Sequence, residues 1–149
     1  MLGLPDPGRE DLAPPSIDIL AVASPAAGAN ATIPLGEFEL FAILGCRFNF
    51  TADANAANRV VCVDYIAGGV TWMRNGAGQV YAANSNTNLE GHANLTVSDF
   101  AANAPTYFPI YPLPLPQGWS VRITVDNVQV GDALTAIRVM LARWTPKLS

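Results

Sequence analysis

The sequence predicts an all-β, antiparallel sandwich preceded by an extended proline-rich arm, and three observations predict it. Hydrophobic residues recur at every second position in several runs, which is the period of a half-buried strand. Turn signals built from Gly, Asn, Asp, Ser and Pro return about every ten residues, as in all-β domains. The first sixteen residues, MLGLPDPGREDLAPPS, hold four prolines and two glycines and show no apolar period.

That opening stretch defines an arm over residues 1–16, with a single β-sandwich domain over 17–149. Pro5, Pro7, Pro14 and Pro15 exclude both a helix interior and a central strand. Fixing the backbone of each residue costs about 1–2 kcal/mol, and Leu2, Leu4 and Leu12 are the arm's main apolar side chains for offsetting it. The expectation is an arm that takes its shape against other protein, and hence a chain that works within an assembly.

After the arm, Ile17 to Ala23 is a short apolar run ended by Ser24-Pro25, and it reads as a strand. The stretch AAGANAT reads as a loop and Ile33-Pro34-Leu35-Gly36 as a turn. From Glu37 to Thr51 the pattern alternates. Phe38, Leu40, Ala42, Leu44, Cys46, Phe48 and Phe50 share the predicted core face, and Glu37, Glu39, Arg47, Asn49 and Thr51 the other. A second strand, RVVCVDYIA, places Val61, Val63 and Tyr65 opposite in phase to Val60, Cys62 and Asp64. Pairing the two as a hairpin sets Phe48 against Val61, Cys46 against Val63 and Leu44 against Tyr65. Cys62 then points away from Cys46, because slipping the register by one residue would turn Asp64 into the core. Two free thiols are expected.

Val70 to Met73 and Gln79 to Ala82 read as short strands around the turn Asn75-Gly76-Ala77-Gly78, and Ala93 to Val97 as another strand. The segment Pro105 to Gly118, PTYFPIYPLPLPQG, has five prolines interleaved with aromatic and aliphatic residues, and must run extended as an apolar loop between strands or subunits. Trp119, Val121, Ile123 and Val125 alternate with Ser120, Arg122, Thr124 and Asp126 in a well-marked strand, turned back by Asn127 to Asp132. The final run, ALTAIRVMLARW, fits a helical stripe through Leu134, Ile137, Leu141 and Trp144. It also fits a strand through Thr135, Ile137, Val139, Leu141 and Arg143. The strand reading is preferred, because pairing with the Trp119 strand satisfies more backbone groups.

Composition narrows the function. A chain of 149 residues suits one domain with its own core. Half the residues are hydrophobic and 13% are charged, against about 25% in ordinary soluble domains, so the surface is made of small and amide residues or is partly covered by other subunits. A net charge of −4, with seven arginines spread singly and Lys147 the sole lysine, provides no basic stripe for nucleic acid. No run approaches the ~18 apolar residues of a membrane span, and MLGLPDPGRE lacks the regions of a signal peptide, so synthesis in the cytoplasm is expected. The sequons at Asn30, Asn49 and Asn94 read as coincidence in an Asn- and Thr-rich chain.

Catalytic chemistry finds little support. The one histidine, His92, lies in the loop-like stretch TNLEGHANL two residues from Glu90, a spacing that reads as a solvated pair. Glu37 and Glu39 read as edge-solubilising carboxylates and not as a glycosidase pair. Metal-binding and nucleotide-binding spacings are missing, Asp132 reads as a turn residue, and no cofactor is expected. A sugar-binding face would need Trp72 beside Asn75, with Tyr81 and Asn84; Trp72 reads instead as core.

About eight short strands, a proline-rich arm and the close GWSVRITVDNVQVGDALTAIRVMLARW, with Gly118, Trp119, Gly131, Asp132 and Trp144, resemble the jelly-roll cement or decoration proteins of tailed-bacteriophage capsids. The resemblance implies a jelly-roll-like sandwich and a non-enzymatic virion protein assembled in the host cytoplasm. It also implies a dimer or trimer bound to the major capsid protein or other virion subunits. The expected contact residues are Leu2, Leu4, Leu12 and Pro14 of the arm, with Tyr107, Phe108, Ile110, Tyr111, Leu113 and Leu115 of the proline-rich segment. Other virion parts, such as a connector, tail or coat jelly roll, and a carbohydrate-binding sandwich are the alternatives.

Overall fold

The computed structural model describes residues 13–35, 40–93 and 106–145, except the side chains of Ala77 and Tyr107. Ten strands run in order: β1 Ser16–Ala21, β2 Ala31–Ile33, β3 Leu40–Thr51, β4 Arg59–Ala67, β5 Val70–Tyr81, β6 Asn86–Ala93, β7 Thr106–Ile110, β8 Leu115–Pro116, β9 Trp119–Asp126 and β10 Ala133–Trp144. One sheet has the order β1-β10-β3-β6-β7, with β8 beside the start of β3; the other has the order β2-β9-β4-β5. With the short β7 and β8 set aside, the strands pair as first with last, β2 with β9, β3 with β6 and β4 with β5. This is a long antiparallel ribbon rolled into two sheets, the jelly roll.

The core lies between the sheets. Val61, Val63 and Tyr65 of β4 and Val121, Ile123 and Val125 of β9 meet Phe48 and Phe50 of β3, Leu89 of β6 and Ile137, Val139 and Leu141 of β10. The alternation expected for β4 and β9 is the one observed. The hairpin between β3 and β4 is not: the two strands belong to different sheets, and residues 52–58 carry the chain from one to the other. Strict alternation says which face is buried but not which strand lies alongside.

Two β-bulges explain where the patterns misled. In β3, Met140 opposes Gly45 while Leu141 opposes Ile43, so Leu44 is an extra residue. The buried phase therefore switches from Phe41 and Ile43 to Cys46, Phe48 and Phe50, and the predicted core positions Leu40 and Leu44 are only half-buried. In β10 the register shifts between Thr135 and Arg138, and Ala136 takes φ 53°. The bulge turns the inward spacing from two residues to three, between Leu134 and Ile137. That spacing is what mimics a helical stripe, and the strand preferred from the sequence is the structure formed. Its main partners are β1 and β3, and not the expected Trp119 strand.

The Asn75–Gly78 turn is also revised. β5 is one strand of 12 residues, and Gly78, at φ 65°, belongs to an irregularity in its pairing with β4. The true hairpin turn is Gly68-Gly69, both at positive φ, which suits a two-residue turn between twisted strands. The stretch read as loop-like around Glu90 and His92 is strand β6, and residues 94–97 of the strand expected at Ala93–Val97 fall outside the described ones. Ile33, read as part of a turn, ends β2. β7 is parallel to β6 and forms the sheet edge, where Pro109 removes no ladder bond.

Candidate interaction surface

Of the ten expected contact residues, Leu2, Leu4, Leu12 and the side chain of Tyr107 lie outside the described residues, as do Glu37 and Glu39. Pro14 is exposed ahead of β1. Phe108, Ile110 and Leu115 need correcting: each is buried in the chain's own core, so the described fold does not offer them to a partner. Their burial has a visible cause. Gly91 of β6 faces inward without a side chain, and a Cβ there would stand 2.7 Å from both Phe108 and Ile110. The two β7 side chains fill the space that Gly91 leaves.

Tyr111 and Leu113 are exposed, and a tight turn presents them. The Leu113 N–H donates to the Tyr111 carbonyl at 2.8 Å across Pro112. Tyr111 is 52% exposed. The pair overhangs β5, the edge of the four-stranded sheet, and with Met73, Arg74 and Asn75 encloses a groove of about 310 Å³.

A second apolar patch, unmarked in the sequence reading, lies at the opposite edge of the sandwich. Ile19 of β1, 71% exposed, is the cross-strand partner of Met140 in β10, which in turn opposes Gly45. Ile17, exposed one pleat away, extends the patch along the edge strand. Gly45 leaves a depression of about 260 Å³, lined by the apolar Ile19, Leu44 and Met140 and by the polar side chains of Arg47, Glu90, His92 and Arg138. The sequence signal was Ile17 and Ile19 at alternate positions in a strand that begins beside two prolines. Nothing in a single strand says that it lies at an edge.

His92 and Glu90 sit on strand β6 and not in a loop. The imidazole Nε2 lies 3.4 Å from Glu90 Oε2, and Glu90 lies 3.9 Å from Arg47, an arrangement of partly exposed charges on a sheet face. The nearby Cys46 thiol is turned into the core. Burial pushes it up to about 12, against a small lowering by its backbone hydrogen bond with Gly91, so it supplies no thiolate nucleophile near neutral pH. Cys46 and Cys62 are both free and both buried. Among the described residues, no group of three His, Cys, Asp or Glu is placed to hold a metal ion, and no helix is long and apolar enough to cross a membrane.

Of the four residues of the sugar-binding alternative, Trp72 and Asn84 are exposed and Asn75 and Tyr81 are not. Trp72, read as core, is 65% exposed, but Asn75 and Tyr81 are buried beneath the surface that it would share with them. On the outer face of the four-stranded sheet, Arg74 is paired with two carboxylates. Arg74 donates through Nε and Nη2 to the two oxygens of the buried Asp64 and through Nη1 to Asp126, and the Thr124 hydroxyl donates to Asp64.

No family model and no curated protein matches this sequence. Among solved structures, the fold is similar to a chain in the crystal structure of the T13 IBDV viral particle, with a TM-score of 0.37 and 11% identity, over 91% of this chain and 32% of that one. The present chain thus spans about a third of the length of that chain. The jelly-roll assignment rests on the strand order above and not on this likeness.

Proposed function

We propose that this chain is a non-enzymatic structural subunit of a virus particle, of the cement or decoration type, which reinforces a shell by binding coat subunits. The observation that carries the reading is the placement of two exposed apolar patches at opposite edges of one jelly roll. Ile17, Ile19 and Met140 mark one and Tyr111 and Leu113 the other, on a chain with little charge to solvate them. A subunit with one such patch forms a closed pair. A subunit with two unlike patches contacts different neighbours on its two sides, which is what a lattice requires. Many weak contacts repeated over a shell raise the cost of removing any single coat subunit.

The leader, residues 1–16, belongs to the same reading as a further strap onto neighbouring subunits, and the chain itself as a dimer or trimer. The test is to compare particles made with and without this chain. The reading expects the chain in purified particles and release of nucleic acid at a lower temperature when it is missing. Particles that lack the chain in both preparations, or that release their contents at one temperature, overturn it.

A further inference from the structure

Asn75 sits where the pattern calls for an apolar side chain. Its cross-strand partner is Val63 and the neighbouring pair is Met73 with Tyr65; Val63 and Tyr65 are core residues, so Asn75 points between the sheets at the open β5 edge. It is 7% exposed, and its Nδ2 has no hydrogen-bond partner among the described residues. A buried donor left unpaired is costly, whereas an apolar side chain of the same shape carries no such penalty. Asn75 lines the groove together with Met73, Arg74, Tyr111 and Leu113.

The groove therefore offers one unpaired buried donor among Met73, Tyr111 and Leu113, with the guanidinium of Arg74 already committed to Asp64 and Asp126, and it fits a ligand rich in acceptors and poor in donors. A proline-containing extended peptide has that chemistry, since each proline contributes a carbonyl without an N–H. The chain carries such a peptide in its own leader. Leu2 and Leu4 are two apart in sequence, the spacing that would share one side of an extended peptide, and are followed by Pro5 and Pro7. Tyr111 and Leu113 are likewise two apart.

We infer that the Asn75 groove binds the proline-rich leader of a second copy of this chain, with Asn75 Nδ2 donating to a leader carbonyl and Leu2 and Leu4 packing on Tyr111, Leu113 and Met73. This rests on the reading of the chain as a shell subunit and names the partner of one of its two patches. A second copy is favoured by where the described chain begins. The Ala13 N–H is bonded to the Thr145 carbonyl at 2.9 Å, beside β1 at one edge of the sandwich, while the groove lies at the β5 edge on the other side. A contact from one edge to the opposite edge of the next copy is heterologous and repeats from subunit to subunit.

The experiment places a photoreactive benzophenone side chain at Leu4 of the full chain. Equal parts of ¹⁴N- and ¹⁵N-labelled protein are mixed at high concentration and illuminated. The expected result is a mixed-isotope cross-link from position 4 to the segment carrying Met73 or to that carrying Tyr111 and Leu113. Asn75→Leu should lower its yield about tenfold, the value of one satisfied buried donor. Leu113→Ser, at an exposed position, should lower it as well without touching the fold. Asn75→Leu should leave the melting temperature unchanged or raised; a drop would show that the amide is already satisfied within the chain. Cross-links confined to one isotope, cross-links elsewhere, or yields indifferent to both substitutions overturn the inference. In purified particles, a cross-link from the leader to a different protein overturns the second-copy partner while leaving the shell-subunit reading in place. Mixed-isotope cross-links from a chain that is missing from particles do the reverse.

Discussion

Arg59 is a fully buried cation, held between Asp132 and Asp53. Its Nε donates to Asp132 Oδ2 at 2.9 Å, and Asp132 also accepts from the backbone N–H of Asp53 and of Gln129. The cluster ties the crossing between sheets, residues 52–58, to the β9–β10 turn. Burial opposes the charge on Asp132, but the Arg59 hydrogen bond and the two backbone donors outweigh it and hold the carboxyl below its ordinary range. A carboxyl lowered in the folded state stabilises the fold above its unfolded pKa of about 3.9 and loses that contribution as pH falls through the folded value. Asp132→Asn should therefore cost about 3 kcal/mol or more at neutral pH and flatten the acid limb of stability, as read by urea unfolding across pH. A variant with an unchanged acid limb would deny Asp132 this role. The sequence showed Asp132 as a turn residue, which it is; nothing local revealed that Arg59, far off in the chain, completes it. The thiols make a second prediction at this scale. Cys46 and Cys62 are buried and both pushed up by burial, so disulfide-exchange reagents at pH 8 should label them only at the rate of unfolding.

Elements were legible from the sequence where alternation ran unbroken, as in β4 and β9, and were misread where a bulge or a missing side chain interrupted it. Leu44 and Ala136 each insert a residue, and a register that depends on pairing leaves no mark in the strand that carries it. β6 was read as a loop for a different reason. Its inward positions are Leu89 and Gly91, so one of the two expected apolar signals is replaced by hydrogen, and its outer face is held by Asn49 donating to Asn86 and Asn88. Gly91→Ala should then be costly, by about 1–3 kcal/mol, because Phe108 and Ile110 already occupy the space. Equilibrium unfolding with wild-type stability would show that β7 moves aside freely. At Ala136 the expectation has the opposite sign to the usual strand substitution. Ala136→Gly should be neutral or stabilising, since φ 53° strains alanine, whereas Ala133→Gly should cost about 0.5–1 kcal/mol.

At the scale of the whole molecule, the sequence showed an all-β chain short of charge with a proline-rich leader and, through the resemblance, a jelly-roll-like sandwich, while the strand order that makes it one needed three dimensions. The proposed interaction surface was half legible. Tyr111 and Leu113 were expected and lie at the surface, Phe108, Ile110 and Leu115 were expected and lie inside, and Ile19 with Met140 came together only through the β1–β10 pairing. Two patches at opposite edges are the central claim, and Met140 and Tyr111 supply one oxidisable side chain in each. Hydroxyl-radical footprinting of the free chain against the chain in purified particles tests both at once. The account predicts that Met140 and Tyr111 are oxidised readily in the free protein and at least several-fold less in the particle. Equal oxidation of both side chains in the two states would contradict it.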